Sequence, residues 1–101
     1  MKALTIYQPY AEQIASGVKK IEYRSWPTSY RGRLAIHAGK KKCDGSDGLP
    51  LGAIVAVCEL VDCVRKGFRE YHWLLANVER LRNPICISGK QGLWDFGGKL
   101  K

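Results

Sequence analysis

The sequence contains few of the residues that hold metals or form disulfide bonds. Its four cysteines form no C-x-x-C pair, and it has only two histidines, His37 and His72. Neither a zinc site nor a disulfide framework is therefore indicated. The apolar runs stay well short of the roughly eighteen residues that a membrane-spanning helix needs, and no segment has the pattern of a signal peptide. We therefore expect a cytoplasmic protein with reduced cysteines, no metal, no cofactor and no membrane segment.

Acidic residues are also in the minority. The chain has 17 Lys and Arg against nine Asp and Glu, a formal net charge of +8. Residues 1–50 carry nine basic and four acidic groups, and residues 51–101 carry eight and five, so the excess is not confined to a tail. Such a charge favours polyanions, because each phosphate contact releases counterions. Charge alone leaves a soluble basic protein without such a partner equally open.

The length and the hydrophobic pattern indicate one small domain over residues 1–101. A short helix is predicted between Pro9, which suits a first helical turn, and Gly17, which suits a helix end. Residues 39–50 are predicted to form an exposed loop, and Asn83-Pro84 to turn the chain before one or two short closing strands. The main predicted strands cover residues 3–7, 20–25, 33–38, 52–63 and 72–81. A charged connection is predicted between the fourth and the fifth of these strands.

This pattern indicates an α+β fold. It has five to seven strands, one clear helix and no repeated strand–helix–strand unit, which favours a mixed or antiparallel sheet curled into a small barrel. The apolar run at residues 52–63 is predicted to be buried on both faces. We also expect Trp94 and Phe96 to lie in the core.

Four motifs resemble the ASCH domain, a family of the PUA-like superfamily. They are L-x-I-x-Q-P-Y at 4–10, G-x-K-x-x-E-x-R-x-W at 17–26, Y-R-G-x-L-x-I-H-A at 30–38 and G-K-Q-G-L-W at 89–94. The resemblance implies a PUA-like β-pseudobarrel with one or two short helices and a cleft beside the first helix. It also implies RNA or nucleotide binding. The chain departs from the family in having Tyr10 where tryptophan is common, and a short loop after the third strand in place of a longer insert.

Several residues are candidates for binding nucleic acid in that cleft. Arg24 can form two parallel hydrogen bonds to a phosphate or a base edge, and Lys19 supplies a point charge. Glu22 shares a strand face with Arg24 and can accept a hydrogen bond from an exocyclic amine. The full predicted set is Gln8, Tyr10, Lys19, Glu22, Arg24, Trp26, Arg31 and Lys40. Weaker candidates are Tyr30, Arg33, Lys41, Lys42 and the backbone N–H groups at the helix start.

Each candidate also has a structural interpretation. Glu22 and Arg24 can form a surface ion pair, Trp26 can pack on the edge of the barrel, and Gln8 can close the first helical turn. Residues 40–42 can be a solvated loop. Among apolar neighbours, His37 reads as a hydrogen-bonded core residue. Glu59 either lies inside, where it needs a partner, or marks the point where its strand leaves the core.

Three functions remain open at this stage. The first is an RNA-binding module for RNA, single-stranded nucleic acid or a modified nucleoside. The second is a small metal-independent hydrolase, either an amidohydrolase on a nucleoside such as acylated cytidine or a ribonuclease, with Lys19 and Glu22 as catalytic residues. In the ribonuclease, His37 is an alternative to Glu22 as the base. Lys19 matches a lysine that such relatives use, whereas Glu22 stands where they have a threonine. The third is a protein-interaction domain of a transcription-related assembly.

Overall fold

The computed structural model describes residues 1–98, which contain six strands and one helix. The predicted α+β class and the predicted number of strands are confirmed. None of the described residues belongs to a helix that is long and apolar enough to cross a membrane. In chain order the elements are β1 (Lys2–Ile6), α1 (Tyr10–Ala15), β2 (Ile21–Arg24), β3 (Gly32–Ala38), β4 (Ala53–Gly67), β5 (Glu70–Cys86) and β6 (Leu93–Asp95).

The strands form one mixed sheet in the order β2-β5-β4-β3-β1-β6. Within it, β1 runs parallel to β3 and every other neighbouring pair is antiparallel. Four strand spacings separate β2 from β1, which is roughly 19 Å in a flat sheet. Nevertheless, Arg24 in β2 donates from Nη2 to the backbone oxygen of Thr5 in β1 at 3.0 Å. The sheet therefore curls until β2 approaches β1, as expected for a pseudobarrel.

The main core fills the inside of this curl. The helix α1 buries Ala11, Ile14 and Ala15 against it, and the chain leaves the helix at Gly17 with a φ of 84°. Residues 53–58 of β4 are all buried, so the predicted burial of both faces is confirmed there. Trp94 and Phe96 lie in a second buried cluster, also as predicted.

The predicted charged connection between the fourth and fifth strands is wrong. Instead, β4 and β5 stay paired to the end of a long hairpin whose turn is Phe68-Arg69. Arg69 has a φ of 53°, in the left-handed region that tight hairpin turns use. Side chains near this end are exposed or half-buried on both faces, so backbone pairing forms the strands without an apolar pattern to reveal them.

The predicted turn at Asn83-Pro84 is also wrong, because β5 continues through it to Cys86. The pairing shifts between Ala56↔Arg80 and Ile54↔Ile85, so residues 81–84 bulge opposite β4. Proline has no amide hydrogen for the ladder, and a bulge is a place within a sheet where none is needed.

Candidate functional site

A cleft opens where the curled sheet brings β1 and β2 together. It has a volume of about 620 Å³ and lies between the end of β1, the start of α1, β2 and the segment before β6. Of the residues that the sequence predicted for nucleic-acid binding, those that line this cleft are Tyr10, Lys19, Glu22, Arg24 and Trp26.

Lys19, Glu22 and Arg24 form a charged group on the inner wall of the cleft. Lys19 Nζ lies 3.5 Å from Glu22 Oε1, and Arg24 Nε lies 2.9 Å from Glu22 Oε2. Their side chains are only 15%, 9% and 23% exposed, respectively. The group is therefore not the exposed surface pair that the sequence left open, and removing one member leaves a poorly solvated charge.

Further contacts hold the two cations in place. Lys19 Nζ donates to the backbone oxygen of Ile21 at 2.6 Å, while Arg24 Nη2 donates to Thr5 across the cleft. The buried Arg24 Nε is close to the Glu22 carboxylate, but the angle is too poor for a hydrogen bond. Arg24 thus joins β2 to β1 and keeps one buried N–H without an acceptor among the described residues.

Tyrosine side chains surround the mouth of the cleft. Tyr7 and Tyr10 are each 53% exposed, and Tyr23 is 58% exposed. Lys19 Nζ lies 4.5 Å from the centroid of the Tyr23 ring, and Lys41 Nζ lies 5.7 Å from that of Tyr7. These are distances at which a cation is attracted to an aromatic face. The mouth therefore presents aromatic surface and positive charge together.

Trp26 packs on the edge of the barrel and also lines the cleft. Its ring meets Trp73 edge to face, with 4.7 Å between ring centroids, and Trp73 Nε1 donates to its backbone oxygen at 3.3 Å. Trp73 is fully buried, so this contact attaches Trp26 to the edge of the core. Trp26 also lines the cleft, where its remaining surface is a wall.

The remaining wall comes from residues 90–92, which sequence reasoning did not assign to the site. The Thr5 hydroxyl holds this segment by donating to the backbone oxygen of Lys90 at 3.3 Å, and it accepts from Trp94 Nε1 at 3.2 Å. At Gly89 a Cβ atom would lie 2.5 Å from Thr5 Oγ1, so only glycine permits this approach. The G-K-Q-G-L-W motif was the available signal, but it was interpreted only as part of a family resemblance. Ile6, Tyr7 and Tyr23 were missed as well.

Three predicted binding residues lie outside the cleft lining. Gln8 is fully buried, with Oε1 accepting from Glu12 N at 2.8 Å and Nε2 donating to Pro50 O at 3.0 Å, so it closes the helix start. Arg31 donates to Asp62 at 3.4 Å, and Lys40 donates to Ser88 at 3.4 Å.

The backbone N–H groups at the helix start, a weaker candidate for binding an anion, already have acceptors. The N–H groups of Tyr10 and Ala11 donate to the backbone oxygen of Tyr7, and that of Glu12 donates to the Gln8 side chain. None of the three is available to an anion. Tyr30, a weaker candidate, donates its hydroxyl to the backbone oxygen of Arg33.

The structure assigns His37 to the core and Glu59 to the surface. The His37 ring is 1% exposed, with Nε2 2.7 Å from Ile87 O and Nδ1 3.1 Å from the Thr5 hydroxyl. Burial lowers the pKa of His37, and the hydrogen bond to Ile87 offsets this only in part. A neutral ring that donates from Nε2 satisfies the contact to Ile87, and its Nδ1 then shares the single Thr5 hydroxyl hydrogen with the backbone oxygen of Lys90. Glu59 is exposed and accepts from Asn77 at 2.9 Å, so its face of β4 is outside the core there, although Leu60 on the other face is still buried.

The cleft has the chemistry to hold a planar, negatively charged ligand. Aromatic faces bind flat rings, cations bind anionic groups, and the one carboxylate can accept hydrogen bonds from an amine. No group of three or more His, Cys, Asp or Glu side chains able to hold a metal ion occurs within residues 1–98.

Comparison with known proteins finds one matching domain family and two curated relatives. The model of the ASCH domain matches residues 4–85. Activating signal cointegrator 1 of Homo sapiens is 33% identical over 88 residues, and that of Mus musculus is 32% identical over 88 residues. Each alignment covers 66% of this chain and 15% of the relative, so the chain spans only a small part of these proteins.

A solved structure resembles the chain over most of its length. The crystal structure of ASCH from Zymomonas mobilis matches with a TM-score of 0.66 at 17% identity, covering 84% of this chain and 72% of the other. At this identity, the likeness shows a shared fold.

Proposed function

Because this chain belongs to the ASCH domain family, which is generally linked to RNA binding, we propose that it binds single-stranded RNA in the cleft between β1 and β2. The observation that carries the proposal is the meeting of exposed aromatic rings and cations in one cleft. A base stacked on a protein ring contributes about 1–3 kcal/mol, and Tyr7, Tyr10 and Tyr23 offer such rings at the mouth.

The ligand is single-stranded because protein rings can stack only on bases that have left their own stack. The cleft volume of about 620 Å³ lies within the roughly 300–1,000 Å³ of small-molecule sites. It therefore suits a splayed nucleotide better than a duplex.

The charged group gives the cleft its polarity. Lys19, Arg24 and Lys90 line it and supply positive charge for phosphates. An ionised carboxylate has about four acceptor positions, so Glu22 keeps acceptor capacity beyond its two cations. Adenine and cytosine carry exocyclic amines that can donate to it, and uracil does not. We therefore expect oligo(C) and oligo(A) to bind more tightly than oligo(U).

Fluorescence anisotropy with labelled single-stranded RNA tests this function. If Lys19, Arg24 and Lys90 each contact one phosphate, the logarithm of the affinity falls with the logarithm of salt with a slope of roughly −2, at about −0.7 per phosphate. Tyr10→Ala should weaken binding at least about fivefold, while Tyr10→Phe keeps the ring and the affinity.

Arg82→Ala is the matched control for charge, because Arg82 is exposed and lies outside the cleft lining. Affinity that does not change with salt, or that is equal for Tyr10→Ala and the parent protein, would rule out the proposed site.

A second candidate function is hydrolysis of a modified nucleoside or of RNA. It is favoured by one observation, the 3.5 Å contact between a lysine and a carboxylate inside the cleft. In the amidohydrolase version, water adds to the acyl carbonyl and the C–N bond breaks, which yields a carboxylic acid and the free amine of the base. Lys19 would stabilise the developing oxyanion, and Glu22 would take the proton from water.

Mass spectrometry separates this candidate from simple binding. The protein is incubated with mixed RNA and with acylated and methylated nucleosides, alongside Lys19→Ala and Glu22→Gln proteins. A product that both substitutions abolish establishes an enzyme. Retention of RNA without a product leaves the binding function.

A further inference from the structure

The turn of the β4–β5 hairpin, the hairpin tip (residues 65–70), combines an exposed aromatic ring with several basic side chains. Phe68 is 84% exposed, the most exposed of the large hydrophobic side chains among the described residues. At this exposure, both faces of the Phe68 ring are in contact with water.

Positive charge surrounds this ring. Arg65, Lys66 and Arg69 are basic, and Glu70 is the one acidic residue of the tip. Glu70 lies 3.3 Å from His72, and Arg65 donates to the Gly67 backbone oxygen at 3.2 Å, so both side chains already have partners. Neither Lys66 nor Arg69 forms an ion pair with another residue within 1–98.

The strand register places the tip beside the cleft. Tyr71 of β5 pairs with Arg24 of β2 on one side and with Arg65 of β4 on the other. Arg24 lines the cleft, and Phe68 is three residues before Tyr71, at most roughly 10 Å of chain. A strand of nucleic acid that leaves the cleft at the Arg24 end therefore comes within reach of the tip.

We propose that the hairpin tip is a second contact for the same single-stranded RNA, with Phe68 stacking on a base outside the cleft and Lys66 and Arg69 meeting the adjacent phosphates. This inference rests on the proposed function and extends its site. Along the chain, Phe68 has Lys66 on one side and Arg69 on the other. This order matches single-stranded RNA, in which bases that can stack alternate with phosphates that bind cations.

A protein partner fits the tip less well. One phenylalanine offers about 150–250 Å² of surface, while a stable protein interface buries about 800 Å² on each partner. The three cations would also have to lose their hydration or find acidic partners there. An anionic membrane surface matches the charge, so it is included as an outcome of the test.

The experiment compares two RNA lengths by fluorescence anisotropy. A dinucleotide occupies the cleft alone, and an oligonucleotide of about 12 residues, within the usual range for one small binding fold, also reaches the tip. Phe68→Leu keeps an apolar side chain but loses the ring face, while Phe68→Tyr keeps the face. Because Phe68 is so exposed, neither substitution disturbs the core.

We expect Phe68→Leu to weaken binding of the longer RNA at least about fivefold and to leave the dinucleotide unchanged. Phe68→Tyr should bind both like the parent protein. Lys66→Ala should reduce the slope of the salt dependence by about 0.7, whereas Arg82→Ala, on the far part of β5, should not.

The possible failures can be told apart. If the parent protein binds neither RNA, the proposed function is wrong and the inference falls with it. If cleft variants weaken binding but Phe68→Leu and Lys66→Ala do not, the cleft stands and the inference about the tip is overturned. Binding to phosphatidylserine vesicles that depends on Phe68, with RNA affinity independent of it, also overturns the inference.

Discussion

Replacing Gly89 by alanine tests how the wall of the cleft is held. The added Cβ would lie 2.5 Å from Thr5 Oγ1 and 2.6 and 2.7 Å from Cε1 and Nδ1 of His37. Neither neighbour can move cheaply, because His37 is buried and bonded to Ile87, and Thr5 accepts from Trp94. Forcing a methyl group into a packed site costs about 1–3 kcal/mol of unfolding free energy.

Urea denaturation measures this cost, and Gly97→Ala is the matched control. A Cβ at Gly97 meets nothing within 4 Å, and its φ is outside the positive range, so alanine there is neutral or stabilises by up to about 1 kcal/mol. For a domain of this size, the Gly89→Ala cost lowers the melting temperature by roughly 4–8 °C per kcal/mol. Equal midpoints for the two variants would show that residues 89–92 do not pack on β1 and β3 as described.

Three further outcomes follow from buried groups. Glu22→Gln should lower the free energy of unfolding by about 3–5 kcal/mol, because it leaves two poorly solvated cations without their counter-charge. Urea denaturation measures this loss, and a value below about 1 kcal/mol would indicate an exposed pair. Burial lowers the pKa of His37, so the unfolded chain binds a proton that the folded chain excludes. Stability should therefore be complete above about pH 6.5 and fall as the pH drops through the folded pKa, a trend that His37→Asn removes and His72→Gln keeps. Burial raises the pKa of Cys58 to about 12, so its thiol should not react with iodoacetamide at pH 8 in the native protein. Peptide mass spectrometry should find exposed Cys86 modified in the native protein and Cys58 modified only in denaturant.

Local patterns in the sequence predicted part of the charged group, while the cleft that this group lines was implied by the family resemblance. Glu22 and Arg24 meet because residues two apart share a strand face, and Lys19 precedes that strand closely enough to join them. The start of α1 and the position of Tyr10 likewise follow from the proline that precedes the helix. These residues are close in the chain, so short-range rules placed them.

The wall formed by residues 90–92 depends on contacts between distant segments. Residues 90–92 reach the cleft because β6 pairs with β1 and because Gly89 packs on His37, over 50 residues away in the chain. No local pattern carries that information. The sequence left two roles open for Gln8 for a related reason, since its side chain donates to Pro50 in a loop whose path the sequence did not reveal.

The outer end of the β4–β5 hairpin was missed because it is charged and lacks a buried face. Hydrophobic alternation identifies a strand by its buried face, and residues 64–71 have no fully buried side chain. Their pairing continues a register that the core has already set closer to the centre of the sheet. A sequence rule that requires an apolar face ends such strands too early.

A nitrogen–proton NMR titration of the labelled protein with short single-stranded RNA shows directly where the RNA binds. If it binds in the cleft, the largest shift changes fall on residues 5–7, Tyr23, Arg24 and residues 90–92. Saturable changes confined to residues outside the cleft lining, such as the exposed residues around Arg82, with the cleft signals unmoved, would contradict binding in the cleft.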